Sequence, residues 1–478
     1  MSFSFYWHDY ETWGADPRRD RAAQFAGQRT DADLNPIGEP LVIHAKPADD
    51  MLPRPEACLV TGITPQYALE HGMPEAEFFR QIHSELIRPG TCTSGYNSIR
   101  FDDEFTRFGF YRNFIDVYAR EWQGGNSRWD IIDVLRLAHA LRPEGIEWPE
   151  NEDGTASFRL DRLSVANGLA HADAHDALGD VRVTIEMARL LKARHPRLYD
   201  YCFTHRGKQA AGELLNLRER REVLHVSSMY PAVLGCIAPV IPIGMQPGNR
   251  NGVIVFDLRT DPHILMDLDA EELHYRLFTP SAELADGIAR VQMKTVHLNK
   301  CPVLAPMNTL TSGAADRWMI DIGQVRQHAQ TLLGFGDLQA KLDAVHAIDA
   351  RREFSEDPDQ TLYGGFFSDR DREEIAHIRK QTPEELADCH PAFDDAKLHE
   401  LLFRYRARNW LETLNTEERQ RWEAYRRWRL TDPAGGASIV SADYFAEIDR
   451  LLAGLGKDDK RRGILGDLRD WGERLTGC

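Results

Sequence analysis

The residues of this sequence best suited to chemistry are acidic, and the first pair is Asp9 and Glu11. They follow the aromatic run FSFYWH and stand two positions apart. Side chains at i and i+2 share one face of a strand, so both carboxylates should point the same way. Two carboxylates beside a core repel each other and lose hydration, and a divalent cation relieves both costs. Oxygen ligands suit magnesium or manganese. An acidic strand end facing solvent is the alternative.

Two further acidic clusters follow. Asp102 and Asp103 open a predicted helix after GYNSIRF, where carboxylates also favour the helix dipole. His175 precedes Asp180 by five residues at the start of an amphipathic helix. A histidine there can transfer a proton near neutral pH, and the aspartate can reach a metal. Taken alone, Asp102 and Asp103 are better explained by helix capping. The alternative for the other cluster is Asp176 as a capping residue and His175 as a surface side chain.

The order of the three clusters favours hydrolysis of a phosphodiester by two metal ions, roughly 3.5–4 Å apart. The pattern is DxE on the first strand, an aspartate at a helix start in mid-domain, and HxxxxD on the last helix. In this interpretation His175 is the base that accepts the proton of the attacking water.

The elements that must position these clusters predict an α/β layer fold in the first region, residues 1–195. Strands are predicted at 3–13, 22–30, 40–46 and 91–97, and helices at 75–88, 101–118, 130–141 and 174–194. A second region, 196–348, has short β-branched runs bounded by Pro, Gly and Asn, as in a small barrel. A third, 350–478, has mostly helical patterns.

Composition limits the class of protein. The chain has 478 residues and a formal net charge of −17, which argues against tight, indiscriminate binding to duplex DNA. The start of the chain has no signal-peptide pattern, and no apolar run approaches a membrane span. The seven cysteines are scattered and form no CxxC, so we expect reduced thiols and a cytoplasmic location.

Long stretches of the sequence resemble the bacterial exodeoxyribonuclease I family, in the DEDDh branch of the DEDD 3′–5′ exonuclease superfamily. The similarity covers nearly the whole chain, including FYWHDYETWG, GYNSIRFDDEFTR, ANGLAHADAHDALGDV, NRNGVIVFDL and LYGGFFSDRD. It implies an RNase H-like exonuclease domain, an SH3-like β-barrel domain and an all-helical C-terminal domain, at the boundaries 1–195, 196–348 and 350–478.

The resemblance also implies an activity. The metal ligands would be Asp9, Glu11, Asp102 and Asp180, with His175 as general base and Asp103 outside the set. Two Mg²⁺ ions are expected, with Mn²⁺ able to substitute. The implied reaction is processive 3′-to-5′ digestion of single-stranded DNA to 5′-mononucleotides, in DNA repair and recombination. An enzyme that encloses its strand in one chain suggests a monomer.

Binding of single-stranded DNA combines cationic contacts to phosphates with aromatic stacking. Candidates in the first region are Arg107, Tyr118, Trp122, Arg128 and Arg136, with core packing or ion pairing as the alternative. The spacing of Tyr118 and Trp122 predicts a shared helix face. By resemblance, further substrate contacts are Glu11, Arg159, Lys208, Asn251, Lys294 and Asn299. In the third region RYRARN, with Arg404, Arg406 and Arg408, is favoured over YRRWRL as a DNA contact.

The resemblance implies one protein partner, the C-terminal tail of single-stranded DNA-binding protein. Its pocket is expected near Arg142 and Tyr201, with added charge from Arg221, although Pro306 and Met307 stand where a polar residue would help. Two other functions stay open. The catalytic set does not distinguish DNA from RNA, so a DEDDh exoribonuclease is one alternative. A non-catalytic scaffold that binds single-stranded nucleic acid is the other.

Overall fold

The computed structural model describes residues 3–169, 176–348 and 355–477. Its first elements are β1 (Ser4–Thr12), β2 (Ala22–Thr30), β3 (Leu41–His44), α1 (Pro55–Thr61), α2 (Pro65–His71), α3 (Glu75–Leu86), β4 (Thr91–Gly95) and α4 (Asp102–Arg112). Contacts divide the chain into two compact units. The first contains residues 1–127, 171–184 and 354–478, and the second contains 128–170 and 185–353.

A mixed sheet forms the base of the first unit, with strand order β3-β2-β1-β4. Strand β1 pairs with β2 in antiparallel and with β4 in parallel fashion, so it lies inside the sheet. Tyr6, Trp7 and Tyr10 are buried, whereas Asp9 and Glu11 are half-buried on the alternate positions. The strand therefore hides its aromatic residues and presents the two carboxylates together, as the spacing predicts.

The connection from β4 to α4 is tight. A Cβ on Gly95 would lie 2.7 Å from the Cβ of Ser98 and 3.1 Å from the carbonyl oxygen of His8, so glycine lets this loop approach β1. Asn97 adopts a left-handed conformation with φ of 61°, which asparagine tolerates better than most residues. The turn brings the start of α4 next to β1.

Helix α4 is shorter than the predicted helix over 101–118. It ends at Arg112 because the Asn113 side chain donates to the Gly109 carbonyl, 2.8 Å away, and Phe114 turns left-handed at φ 56°. Tyr118 and Trp122 therefore share no helix face, and that prediction is wrong. They flank a short 3-10 turn, Ala119–Glu121.

The middle of the chain contains β5 (Ser127–Asp130), α5 (Ile132–Leu141), α6 (Leu160–Ala166), α7 (Ala177–Arg194), α8 (Pro196–His205), α9 (Lys208–Leu214), β6 (Val223–Val226), β7 (Ile237–Met245), β8 (Gly252–Asp257), α10 (Ile264–Asp267), α11 (Ala270–Phe278), β9 (Met293–His297), β10 (Val303–Pro306), α12 (Ser312–Arg317), α13 (Ile322–Gly334) and α14 (Gln339–Ala347). In the second unit, strands β6 to β10 form an antiparallel sheet in the order β10-β6-β7-β8-β9. The β-rich second region is thus confirmed.

The last elements are α15 (Asp369–Ile378), α16 (Pro383–Ala387), α17 (Lys397–Asn409), α18 (Thr416–Thr431), α19 (Ser441–Ala453) and α20 (Arg461–Thr476). The predicted helical character is confirmed. These helices share cores with the start of the chain: Leu398 and Leu401 cluster with Phe78 and Phe108. The three-domain division stays a prediction, because by contacts the C-terminal residues belong to the same unit as β1–β4.

Buried ion pairs add to this packing. The Nη2 atom of Arg408 lies 2.7 Å from Asp50 and 2.6 Å from Asp359, whose side chains are 0% and 1% exposed. Arg404 also pairs with Asp359, and Arg406 pairs with Glu418. The RYRARN arginines are therefore buried structural groups, and the expectation that they contact DNA is wrong.

None of the helices in the described residues combines the length and the hydropathy that a transmembrane span requires. Six cysteines of the described part of the chain are free thiols, as expected from their spacing: Cys58, Cys92, Cys202, Cys236, Cys301 and Cys389.

Candidate active site

Three carboxylates converge at the end of β1 and the start of α7. Asp9, Glu11 and Asp180 each offer one oxygen atom, and these atoms lie within 4.8 Å of one another. Asp9 and Glu11 come from one face of β1, and Asp180 lies in the first turn of α7. An all-oxygen set of this size matches the ligands that hard divalent cations prefer.

A fourth carboxylate, Asp102, lies beside Asp9. It is 3% exposed at the start of α4, and its Oδ1 accepts a hydrogen bond from the backbone N–H of Tyr10 at 3.1 Å. Its neighbour Asp103 is bound instead by Arg120, at 2.6 Å, with both side chains buried. The structure therefore separates the roles of the two residues, with Asp102 facing the carboxylate cluster and Asp103 in a structural ion pair.

Burial and mutual repulsion dominate the electrostatics of these carboxylates. Burial first, and then repulsion from Asp102, Glu11 and Asp180, raises the pKa of Asp9 well above its ordinary value. Burial, with repulsion from Asp180 and Asp176, raises the pKa of Glu11 to about 8. Cations would remove this repulsion, so the residues present fit a divalent metal site.

The raised pKa of Glu11 predicts how stability depends on pH when metal is removed. In the folded protein the pKa of Glu11 is about 8, above its ordinary value of 4.5. The stability that the protonated Glu11 side chain contributes is therefore fully present below about pH 4.5 and is lost as pH rises through about 8. We expect the free energy of unfolding in EDTA to fall over this window by up to about 1.4 kcal/mol per pH unit. Urea unfolding between about pH 5 and about pH 8 measures this slope.

The control for this prediction is Glu11→Gln, which removes the Glu11 titration and should make the slope less steep by up to about 1.4 kcal/mol per pH unit, while the raised pKa of Asp9 still contributes. Saturating Mg²⁺ should flatten it as well, because the bound cation stabilises the ionised form. Equal slopes for the wild-type protein and Glu11→Gln in EDTA would contradict the prediction.

His175 lies outside the described residues, so its role as general base rests on sequence and stays a prediction. The next residue, Asp176, is described and is half-buried. Its Oδ1 lies 3.5 Å from the Nε2 atom of Gln24, which pairs with Glu11 across the β1–β2 ladder. Sequence analysis missed Gln24. Its only sequence signal is a polar residue on a strand that is otherwise mostly apolar.

The aromatic candidates of the first unit lie near the catalytic end of α4. The turn Ala119–Glu121 is held to α4 by the Arg120–Asp103 pair and by Arg107, whose Nε lies 2.9 Å from Glu121. Arg107 also packs over the Tyr118 ring, with its guanidinium carbon 5.6 Å from the ring centre. The side chain of Arg107 is buried, whereas Trp122 is 69% exposed and Tyr118 36%. These contacts present two aromatic rings to solvent on a rigid turn.

A residue far along the chain joins this group. Tyr363 is 48% exposed, and its hydroxyl donates to Glu104 on α4 at 2.5 Å and lies 3.4 Å from Nη1 of Arg107. Sequence analysis missed Tyr363, because the LYGGFF motif gives no sign of lying against α4.

The predicted substrate contacts of the second unit are differently situated. Arg128 and Arg136 are buried, the first donating to the Asn299 carbonyl at 2.6 Å and the second paired with Asp133 at 2.5 Å. Lys294 bonds Ser227 and lies over the Tyr230 ring. Arg159 and Lys208 are exposed, and Arg159 pairs with Asp161. Asn251 is half-buried. Nothing in this geometry tests their contact with substrate, so these stay predictions.

The predicted partner residues also lie in the second unit. Arg142 is half-buried and its Nη2 donates to the Thr309 carbonyl at 3.3 Å. The Tyr201 ring stacks on His205, with ring centres 4.1 Å apart. Arg221 is 75% exposed and pairs with Glu219 at 3.1 Å. These positions leave the partner contact a prediction.

Family models match almost the entire chain. Residues 6–188 match an exonuclease model, residues 206–348 match the Exonuclease I SH3-like domain, and residues 356–475 match the Exonuclease I C-terminal domain. These matches confirm the predicted fold class of an RNase H-like nuclease domain, an SH3-like domain and a helical C-terminal domain.

Individual proteins agree over their full length. Exodeoxyribonuclease I of Escherichia coli K12 is 45% identical over 473 residues, covering 99% of this chain and 98% of the relative. A solved Exonuclease I from Methylocaldum szegediense is 52% identical, with TM-score 0.95 and coverage of 99% and 100%. The E. coli enzyme in complex with a dA16 oligonucleotide is 45% identical, with TM-score 0.95 and the same coverage. The chain therefore belongs to the exodeoxyribonuclease I family.

Proposed function

We propose that this protein is a metal-dependent exonuclease that digests single-stranded DNA from the 3′ end, releasing 5′-mononucleotides. The observation that carries the proposal is the convergence of Asp9, Glu11 and Asp180 within 4.8 Å, with Asp102 beside them. The family adds the substrate class, because relatives are exodeoxyribonucleases and one was solved with a DNA oligonucleotide.

The four carboxylates would hold two divalent ions, which when bound activate a water and stabilise charge on the phosphate. Asp9 interacts with all three of the other carboxylates and would help to hold the ions, whereas Asp102 accepts a hydrogen bond from the Tyr10 amide. Glu11 is half-buried and open to solvent, which allows it to contact substrate as well. His175 is proposed to accept the proton of the attacking water.

Mg²⁺ is proposed as the natural cofactor because the ligand set contains only carboxylate oxygens. A zinc-bound E. coli ExoI–ssDNA complex, 44% identical with TM-score 0.94 over 100% of this chain, supports a divalent ion without specifying which. Processivity, the part in repair and recombination, the cytoplasmic location and the monomeric state stay predictions.

A contact with the tail of single-stranded DNA-binding protein is also proposed. It is supported by a solved SSB/Exonuclease I structure that is 44% identical, with TM-score 0.91 over 99% of this chain. Arg142 and Tyr201 are the candidate residues, and a tail peptide lacking its last residues is the control ligand for a binding measurement.

The experiment that tests the function compares DNA and RNA strands of the same sequence and length. The proposal expects rapid metal-dependent shortening of DNA and much slower shortening of RNA. Equal or faster digestion of RNA would favour the exoribonuclease. Tight binding without cleavage in either Mg²⁺ or Mn²⁺ would favour the scaffold.

If a base of the DNA strand stacks on the exposed Trp122 ring, Trp122→Ala should weaken DNA binding. Loss of one stacking platform costs about 1–3 kcal/mol per base, so KM for single-stranded DNA should rise about ten-fold with little change in kcat. The matched control is Trp428→Ala, because that indole is also exposed, at 45%, but lies on α18. Equal KM values for the two variants would argue against stacking on Trp122.

A further inference from the structure

An apolar cavity of about 260 Å³ lies in the first unit, at the C-terminal end of α4, opposite the end that carries Asp102. Aromatic and aliphatic side chains form its walls, with Phe114 and Phe367 among the aromatic ones, and Phe367 stacks on Tyr111 at an interplanar angle of 1°. At its edge Phe366 is 93% exposed, an unusual position for a large apolar side chain. The fold thus leaves a flat-walled space large enough for one aromatic group.

The charges around this cavity are mainly positive. Arg372 and Arg379, both exposed, belong to its lining. Among the described residues Arg372 pairs only with the exposed carboxylate of Asp369, and such a surface pair is weak. No carboxylate among the described residues pairs with Arg379. Two guanidinium groups at the mouth of an aromatic cavity suit a ligand with an aromatic body and negatively charged flanks.

Among the described lining residues the one carboxylate is that of Asp116, and only one of its two oxygens is used in hydrogen bonds within the protein. Its Oδ1 accepts hydrogen bonds from the backbone N–H groups of Tyr118 and Ala119, at 2.9 and 2.8 Å. Its Oδ2 has no partner among the described residues. A carboxylate oxygen in this position accepts from an exocyclic amino group, such as that of cytosine.

The cavity adjoins the turn Ala119–Glu121, because Tyr118 lines the cavity and immediately precedes that turn. Along α4, Asp102 and Tyr111 are about 13 Å apart at 1.5 Å per residue. That distance corresponds to roughly four nucleotides at the 3.4 Å rise of a stacked strand. A strand with its 3′ end at the carboxylates and its bases against Tyr118 would therefore bring an upstream base to the cavity.

We propose that this cavity receives one unstacked base of the substrate strand, roughly three to five nucleotides from the 3′ end. Phe366 stacks on the base, Arg372 and Arg379 contact the flanking phosphates, and Oδ2 of Asp116 accepts a hydrogen bond from an exocyclic amino group. The inference rests on the proposed exonuclease function and adds a base subsite to it.

A strand with one internal abasic site tests the proposal. As the wild-type protein digests the 5′-labelled strand, we expect a step about ten-fold slower when the abasic position reaches the cavity, because its stacking is lost. Phe366→Ala should lose this pause, because without the ring a normal base stacks no better in the cavity than an abasic position does. Phe366→Trp, which supplies another ring, should restore the pause. A second pause, when the abasic position reaches the active-site carboxylates, should persist in all variants. Trp428→Ala is the matched control and should keep both pauses.

Asp116→Asn tests the hydrogen bond, because the amide keeps the Oδ1 cap but replaces the free oxygen by a donor. At the position of the pause, wild type should prefer cytosine to thymine a few-fold, and Asp116→Asn should reverse the preference, since thymine offers O4 as an acceptor. Digestion with the same pauses in wild type and Phe366→Ala would overturn the subsite and leave the nuclease function intact. No digestion at all would overturn the function itself.

Discussion

Replacing Asp9 by asparagine is expected to lower kcat by about 10³-fold or more, because stabilisation of the reacting phosphate by metal is worth several kcal/mol. The same change should make the metal-free protein more stable, by about 1–2 kcal/mol. Asp9 is repelled by Asp102, Glu11 and Asp180, and removing its charge relieves all three. Single-turnover cleavage and urea unfolding in EDTA measure the two effects.

The opposite signs of these effects distinguish a metal ligand from a structural residue. Asp449→Asn is the matched control, because that side chain is 69% exposed on α19, and it should leave both quantities near wild type. An Asp9→Asn protein that cleaves at the wild-type rate, or that is less stable than wild type in EDTA, would contradict the assignment.

Replacing Arg408 by alanine should lower the free energy of unfolding by about 3–5 kcal/mol, since Asp50 and Asp359 would lose a buried counter-charge. Burial alone would raise the pKa of Asp50, but Arg408, with Arg21 and Arg429, holds that pKa far below its ordinary range. The control is Arg427→Ala on α18. That arginine is 72% exposed and pairs with Glu423 at 3.4 Å, so its loss should cost less than about 1 kcal/mol.

Kinetics separate this structural role from DNA binding. At a temperature where Arg408→Ala is folded, KM for single-stranded DNA should match the wild-type value. A stable Arg408→Ala protein with a raised KM would restore the view that RYRARN contacts DNA and would contradict the buried network.

Much of the catalytic cluster could be predicted because it depends on local rules. The spacing of Asp9 and Glu11 sets their common face on a strand, and Asp180 falls in the first turn of a helix with a clear apolar stripe. The distinction between Asp102 and Asp103 could not be read locally. It depends on Arg120, a residue outside the cluster that binds the second carboxylate.

The sequence-based predictions that were wrong, and the residues that were missed, mostly depend on contacts between distant parts of the chain. The sequence of RYRARN does not reveal that Asp50 and Asp359 lie opposite its arginines, so a buried network and a DNA-binding patch look alike. Tyr363 reaches α4 from a position more than two hundred residues later in the chain. The helix predicted over 101–118 stops early because Phe114 takes a left-handed conformation, which its residue type does not favour.

The most direct test of the central claim is metal-dependent digestion of single-stranded DNA labelled at one end or the other. With Mg²⁺ and a 3′ label, the label should appear at once as a mononucleotide. With a 5′ label, the strand should shorten stepwise and release the label last. EDTA should abolish both. Early release of the 5′ label, internal cuts, or cleavage that persists in EDTA would contradict a 3′-to-5′ exonuclease built on the carboxylates of Asp9, Glu11, Asp102 and Asp180.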